Sequence, residues 1–233
     1  MKTIILAGGK GRRLEPYTTV LPKPLMPIGD MPILEIIVRQ LKKEGFSQVI
    51  LAVGYLGELI EAFLGDGKKY GLKISYSREE KSLSTMGPLS LIDGLKETFL
   101  AINGDTLTDL KYSKLVKYHK KKGGITTLAT YHRDVKIDFG VARYDRDNRM
   151  NGFVEKPAYE YEVSMGIYVF EPEVLRYIPR GKSLGFDELM ATLIENNEKV
   201  YCYPFDGYWL DIGRQEDYQR AVTEFERMKG RFL

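Results

Sequence analysis

The chain has 233 residues, a formal net charge of +3 and a single cysteine. This length suits one α/β domain that buries a core without cross-links. One cysteine excludes an internal disulfide and fits a reducing compartment, so we expect a cytoplasmic protein. No apolar run approaches the length of a membrane span, and the N-terminus lacks the apolar region of a secretory leader, so we expect neither a membrane span nor a leader. Cys202 and the two histidines cannot form a standard zinc site, and the mildly basic charge does not by itself indicate a nucleic-acid partner.

The N-terminal segment carries the strongest functional signal. Apolar residues 3–7 predict a buried strand that ends in a glycine-rich loop, where the backbone can approach a ligand closely. Cations cluster in and after this loop: Lys10, Arg12, Arg13 and Lys23. A strand that leads into such a loop is typical of a phosphate-binding site. It is not a Walker loop, which needs a Lys-Ser or Lys-Thr pair. Nor is it a dinucleotide fingerprint, because Pro16 does not suit a helix just begun.

The elements that follow alternate in the first half of the chain. We predict further strands at 48–53, 73–77 and 99–103, and helices from Pro32 to about 44, at 56–64 and near 89–95. This spacing favours a Rossmann-like α/β fold with a mixed, mainly parallel sheet and helices on both faces.

The second half is richer in strands. We predict strands at 125–132, 140–144, 150–154, 163–170 and 200–204, a turn at 145–148, and helices that end near 122 and span 187–196 and 215–228. No linker divides the chain. We therefore expect a single domain, 1–233, with a nucleotide-binding part at 1–110 and a strand-rich part at 111–233 whose hairpins share one cleft with the first loop.

Two aspartates follow apolar segments. Asp105 comes directly after the strand at 99–103, and the carboxyl ends of strands are where open α/β sheets bind ligands. Asp211 lies in the apolar sequence WLDIG. With a polyphosphate, two such carboxylates could hold Mg²⁺. The alternative is that each caps a turn or helix, as Asp211 could do for the helix from Gln215.

Two further segments carry polar groups that suit the same ligand. Glu155 and Lys156 end a strand before Pro157, where the lysine could contact a phosphate and the glutamate a sugar hydroxyl; a solvated strand end is the alternative. The loop from Glu79 to Leu89 could contact a nucleobase, or could simply connect two elements.

Taken together, these segments resemble the sugar-1-phosphate nucleotidyltransferases, also called nucleotide-sugar pyrophosphorylases. The matching motifs run from residue 3 to about 220: LAGGKGRRLEP, LPKPLMP, NGD, DFGV, FVEKP, SMGIYVF and WLDIG. The resemblance implies a GT-A-like nucleotidyltransferase fold. It also implies a Mg²⁺-dependent enzyme of class EC 2.7.7, which transfers a nucleoside monophosphate from a triphosphate to a sugar 1-phosphate and releases pyrophosphate.

The resemblance also implies residue roles. Arg13 would hold the pyrophosphate part of the triphosphate, Lys23 both the α-phosphate and the sugar phosphate, and Asp105 and Asp211 the Mg²⁺; with Lys156 they form the catalytic set. The nucleotide-binding set is Leu6, Gly8, Gly9, Gly11, Arg13, Lys23, Glu79, Thr85, Gly87 and Asp105. The sugar-phosphate set is Gly140, Glu155, Lys156 and Gly166. We expect no nucleic-acid or membrane partner, and either a monomer or a homodimer.

Departures from the family pattern leave the substrates open. Arg12 stands where the family usually has threonine, and Ser84 and Met86 replace residues of a loop that often reads LGTAG. We favour GTP with mannose-1-phosphate or a related manno-sugar. The alternatives are uridylyl, thymidylyl or cytidylyl transfer to another sugar or alcohol phosphate, and a catalytically silent homologue that senses a nucleotide sugar. We also expect no C-terminal β-helix domain.

Overall fold

Thirteen strands and five α-helices make up the computed structural model, which describes residues 1–233. The strands are β1 (Lys2–Ala7), β2 (Pro27–Ile28), β3 (Met31–Pro32), β4 (Gln48–Val53), β5 (Lys73–Arg78), β6 (Phe99–Asn103), β7 (Thr106–Thr108), β8 (Thr126–Lys136), β9 (Val141–Tyr144), β10 (Met150–Val154), β11 (Ala158–Phe170), β12 (Val200–Phe205) and β13 (Trp209–Asp211). The helices are α1 (Ile33–Lys43), α2 (Gly57–Leu64), α3 (Tyr112–Lys122), α4 (Phe186–Glu195) and α5 (Gln215–Phe232). None of these helices has the length and apolar character needed to cross a membrane.

Seven strands form the central sheet, in the order β12-β8-β11-β6-β1-β4-β5. Neighbouring strands are parallel except for the two pairs that β11 makes with β6 and β8. The prediction of a mixed, mainly parallel sheet is therefore confirmed. The carboxyl ends of β1, β4, β5 and β6 meet at one edge, which is where sheets of this kind bind ligands.

Both faces of the sheet are covered, as predicted. Successive side chains of a strand point to opposite faces, and β1 follows this rule. Ile5 belongs to a cluster of 37 buried residues that also contains side chains from α1, α2, α3 and α5. Ile4 belongs to a second cluster of 15 residues on the other face, to which α4 contributes Leu189 and Leu193.

The prediction of a helix near 89–95 is wrong. The segment contains a five-residue 3₁₀ turn, Gly87–Leu91, after which Ile92 is extended and Gly94 adopts a φ of +75°. The apolar residues Leu89, Ile92 and Leu95 are all buried. Their three-residue spacing resembles one face of an α-helix, but here a 3₁₀ turn and an irregular segment bury them.

Other differences concern the lengths and the pairing of strands. Helix α5 continues to Phe232, four residues beyond its predicted end, and β8 and β11 both extend past their predicted bounds at residues 132 and 163. The short strands β7 and β13 were not predicted. They pair antiparallel with Asp211 opposite Thr106, which brings Asp211 beside the end of β6.

Residues 132–164, called the arm below, project from the carboxyl edge of the sheet. The arm consists of the end of β8, the β9–β10 hairpin and the start of β11, and none of its residues is buried. The predicted turn at 145–148 closes the hairpin. There the Asp145 carboxylate accepts hydrogen bonds from the amides of Asp147 and Arg149 at 3.0 Å.

Candidate active site

The loop after β1 is compact because its backbone folds into short turns. Gly11 adopts a φ of +64°, and a Cβ there would lie 2.9 Å from Cγ2 of Thr18. The Thr18 hydroxyl donates a hydrogen bond to the Gly11 carbonyl at 2.9 Å. A 3₁₀ turn at Arg12–Leu14 follows, and Leu14 is fully buried. The cationic side chains are thus carried on an anchored backbone.

Helix α5, near the other end of the chain, fastens the β2–β3 hairpin that follows this loop. The Tyr218 hydroxyl donates to the carbonyl of Pro27 at 2.8 Å, and Lys229 pairs with Asp30 at 2.7 Å. Gly29, between these contacts, has a φ of +62° and packs against Phe225. The hairpin after the loop is therefore held by contacts that no local sequence pattern reveals.

Lys23 faces both of the predicted metal-binding aspartates. Its ammonium pairs directly with Asp105 Oδ2 and lies 3.9 Å from Asp211 Oδ1. The other oxygen of Asp105, Oδ1, is buried without a hydrogen-bond partner. Burial and the nearby Asp105 carboxylate raise the pKa of Asp211, while Lys23 and Arg13 oppose that rise. Two carboxylates thus share one lysine and retain oxygen atoms for a further cation.

Arg13 reaches the same cluster because residue 213 is glycine. A Cβ on Gly213 would lie 3.2 Å from Arg13 Nη2 and 3.0 Å from Asp211 Oδ2. Arg13 forms no ion pair with a carboxylate within 4.0 Å, so its guanidinium can bind an anion. The cavity at this point is lined by Leu6, Ala7, Gly9, Gly11, Arg12, Arg13, Lys23, Pro24, Asp105 and Gly213.

A second cavity continues from the first along the edge of the sheet. It is lined by Leu6, Ala7, Gly8, Gly9, Ala52, Glu79, Ser82, Ser84, Thr85, Pro88, Asn103 and Asp105. A Cβ on Gly8 would lie 2.5 Å from Glu79 Oε1, so glycine is needed for the carboxylate to approach. Burial raises the pKa of Glu79, although its Oε2 accepts a hydrogen bond from the Leu83 amide at 2.9 Å.

Gly87 lies outside both cavities, unlike the other predicted base-contacting residues. Its amide donates to the carbonyl of Leu184 at 3.2 Å, and a Cβ would lie 2.5 Å from the carbonyl oxygen of Lys182. The amide of Met86 also donates to Leu184, at 2.9 Å. These contacts attach the loop to residues 182–184, while Ser84 and Thr85 face the cavity.

Three of the four predicted sugar-phosphate residues lie on the arm. Gly140 packs against Phe153, and a Cβ there would lie 2.9 Å from Glu155 Oε2. Lys156, two residues after the end of β10, has a φ of +45°. None of Gly140, Glu155 and Lys156 lines the two cavities described above. Gly166 instead lies in the central sheet, beside Asn103.

Two features of this region were not recognised in the sequence. Asn103 lines the second cavity, and only its place in the NGD motif could have drawn attention to it. The other is a group of three potential metal ligands, His132, Asp134 and Glu160, which lies exposed on the arm rather than beside Lys23.

The sequence profile of the nucleotidyl transferase family matches residues 2–227. The chain belongs to this family. It is 37% identical to the UTP–glucose-1-phosphate uridylyltransferase of Synechocystis, with 95% of this chain and 62% of that protein covered. It is 35% identical to the mannose-1-phosphate guanylyltransferase catalytic subunit beta of Danio rerio, with 97% and 64% covered. The chain thus spans about three fifths of the length of these curated relatives.

Solved structures of similar proteins share the architecture of this nucleotidyl transferase. A Bacillus anthracis protein, provisionally named a glucose-1-phosphate thymidylyltransferase and solved with sucrose, superposes with a TM-score of 0.78 at 25% identity over 96% of this chain and 94% of its own. HddC from Yersinia pseudotuberculosis superposes with a TM-score of 0.74 at 26% identity over 96% and 99%.

Proposed function

We propose that this nucleotidyl transferase transfers a nucleoside monophosphate from a nucleoside triphosphate to a sugar 1-phosphate and releases pyrophosphate. The observation that carries the proposal is the position of Lys23 between Asp105 and Asp211, beside the cationic glycine loop. The names of the relatives support a sugar 1-phosphate as the acceptor, since they include both uridylyl- and guanylyltransferases of this class.

Charge neutralisation is the main task of the proposed mechanism. An oxygen of the sugar phosphate attacks the α-phosphorus in line, and the bond from that phosphorus to the pyrophosphate breaks. Both reactants are anions, so Arg13, Lys23 and Lys156 would offset their repulsion and fix the line of approach.

No general base is required, because the attacking phosphate oxygen is already ionised at neutral pH. The positions of the histidines agree with this. His119 is fully buried, with Nδ1 2.8 Å from the Thr127 hydroxyl and Nε2 3.0 Å from Glu171, and His132 lies exposed on the arm.

The residues present fit a divalent cation. Asp105 offers a buried oxygen that no protein group satisfies, and Asp211 offers a second carboxylate beside it. Carboxylate oxygens are the protein ligands that Mg²⁺ prefers, and we propose that these two residues hold it. A bound Mg²⁺ would stabilise the negative charge that develops on the phosphates.

The substrate pair that we favour is GTP with mannose-1-phosphate or a related manno-sugar. Glu79 lines the second cavity, and guanine offers two adjacent N–H donors to a carboxylate, whereas uracil offers one. The alternative is UTP with glucose-1-phosphate, which the 37% identity to a uridylyltransferase supports. We assign the sugar phosphate to the arm, through Gly140, Glu155 and Lys156.

Pyrophosphate release from a matrix of substrates tests the proposal. GTP, UTP, dTTP, CTP and ATP are each combined with mannose-, glucose- and galactose-1-phosphate in the presence of Mg²⁺. We expect release with at least one pair, and the highest kcat/KM with GTP and mannose-1-phosphate. A protein that binds a nucleotide sugar but releases no pyrophosphate from any pair is the silent homologue instead. Light scattering during gel filtration checks whether the protein is a monomer or a dimer.

A further inference from the structure

Asn103 carries a buried polar atom that the protein leaves unsatisfied. Only four side-chain atoms in the structure are buried without a hydrogen-bond partner, and they belong to Thr3, Asn103, Asp105 and Thr130. Two of the four lie two residues apart at the carboxyl end of β6, and both of these residues line the second cavity. A buried acceptor without a partner costs free energy, and such a group in a native structure calls for an explanation.

The Asn103 side chain is held in place by an unusual feature of β11. The pairing of β11 with β8 shifts register between Ser164 and Tyr168, and Gly166 in this stretch has a φ of +74°. A Cβ on Gly166 would lie 2.5 Å from Asn103 Nδ2. Because Gly166 has no side chain, the side-chain amide of Asn103 fits beside it. The carbonyl oxygen of that amide has no protein donor.

The location of Asn103 suggests what satisfies this oxygen. The second cavity extends from Glu79 and Thr85, the candidate base contacts, to Asp105, the candidate metal ligand. Asn103 lines the cavity two residues before Asp105, and the group that joins a base to its phosphates is the ribose, whose hydroxyls are hydrogen-bond donors. The arm residues that we assign to the sugar phosphate do not line this cavity.

We infer that Asn103 is a substrate-binding residue whose side-chain carbonyl accepts a hydrogen bond from a ribose hydroxyl of the nucleoside triphosphate. The inference rests on the proposed function and adds to it a selection of ribonucleotides over deoxynucleotides. One hydrogen bond to a buried acceptor corresponds to about a tenfold preference.

The test compares the best ribonucleotide with its 2′-deoxy and 3′-deoxy analogues, in the wild type and in the variants Asn103→Ala and Asn103→Leu. We expect the wild type to use at least one analogue about tenfold less efficiently in kcat/KM. In both variants the ratio of kcat/KM with the ribonucleotide to kcat/KM with the analogue should fall towards one. Activity with the ribonucleotide drops, and activity with the analogue does not. Thr3→Val is the matched control. It removes another unsatisfied buried atom, which lies near the amino end of β1, whereas the cavity lies at the carboxyl end of that strand. Thr3→Val should therefore leave the ratio unchanged.

Thermal denaturation without ligand separates a binding role from a structural one. Asn103→Leu removes an unsatisfied polar atom, so it should melt no lower than the wild type while it loses discrimination. A lower melting temperature with an unchanged ratio would show that Asn103 is structural, and would overturn the inference.

Two further outcomes would also overturn it. One is a wild type that uses the ribonucleotide and both analogues equally well. The other is a variant that keeps its preference for the ribonucleotide but no longer distinguishes a sugar 1-phosphate from its deoxy analogues. That result would indicate that Asn103 contacts the sugar of the acceptor. If the wild type releases no pyrophosphate from any substrate pair, the proposed function fails. Dissociation constants for the ribonucleotide and its analogues, measured by calorimetry, then decide the role of Asn103 alone.

Discussion

Lys23 is the residue on which the charge balance of the site depends. Its side chain is 11% exposed, and it faces carboxylates from two elements that are distant in sequence. Removal of one member of such a cluster leaves the others with uncompensated charge. Single substitutions here should therefore affect catalysis strongly.

Asp105→Asn should lower kcat at least about 100-fold, because the amide cannot provide the charge that a cation and Lys23 require. Pyrophosphate release at saturating substrate measures the effect. Asp147→Asn, at the exposed turn of the arm, is the control and should retain wild-type kcat. Near-normal release by the Asp105 variant would contradict the proposed role.

Glu79 should make the stability of the protein depend on pH. Burial raises its pKa, so the folded state favours the protonated form more than the unfolded chain does. This contribution to stability is present below the ordinary glutamate pKa and is lost as the pH rises through the raised value. We therefore compare the melting temperature of Glu79→Gln with that of the wild type at each pH. The difference, variant minus wild type, should be larger at pH 7 than at pH 4. The same difference in melting temperature at both pH values would contradict the raised pKa of Glu79.

The sequence indicated candidate roles for single residues, but it did not indicate which residues they meet in the fold. The residue types and the motifs indicated a phosphate and metal role for Lys23, Asp105 and Asp211, and the structure places these three together. Asn103 could not be recognised in this way. Its importance depends on Gly166 in another strand and on a register shift that no local pattern shows.

The arm is the element that carries most of the candidate sugar-phosphate residues. Lys156→Ala should lower kcat/KM for the sugar phosphate at least about 100-fold, since it removes one charged contact to an anion. The dissociation constant of the triphosphate should not change, because Lys156 lines neither cavity of the candidate nucleotide site. Lys136→Ala, which removes another exposed arm lysine, is the control. Equal losses in both variants would indicate a general effect of charge.

Helix α5 is the element that packs against the β2–β3 hairpin, which follows the loop after β1. Phe225 is fully buried and packs against Phe232 and Gly29, so Phe225→Ala should lower the free energy of unfolding by about 3–5 kcal/mol. Urea denaturation measures this change. Ile194→Ala on the exposed side of α4 should cost less than about 0.5 kcal/mol. A similar small loss for Phe225→Ala would show that α5 does not contribute to the core.

Elements with a clear period were predictable, and short ones were not. Helix α1 repeats apolar residues every four positions, and Ile33, Ile37 and Leu41 are all fully buried. Strands β7 and β13 have three residues each, too few for any period to be recognised. Their pairing is nevertheless what brings Asp211 to Lys23.

The whole molecule places its candidate nucleotide site at the carboxyl edge of a sheet packed on both faces. The alternation of strands and helices was sufficient to predict this class of fold. It could not predict the strand order, in which β11 runs antiparallel between β6 and β8, because that order depends on contacts between distant parts of the chain.

Ligand binding to this site should stabilise the entire fold. A nucleotide present at 100 times its dissociation constant should raise the free energy of unfolding by about 2.7 kcal/mol. Thermal shift with GTP or UTP and Mg²⁺ measures this increase. At the same nucleotide concentration, Arg13→Ala should show a smaller rise in melting temperature, because the variant should bind the nucleotide less tightly. Equal shifts in the two proteins would exclude Arg13 from the nucleotide site.

The way the arm joins the sheet has a consequence for protein engineering. The arm leaves through β8 and returns through β11, where His132 lies directly opposite Glu162 as a paired neighbour. An inserted segment therefore needs to span only the width of one strand pair. A chimera that receives residues 133–161 from a relative with another sugar preference should exchange the acceptor specificity and keep the nucleotide specificity of the recipient.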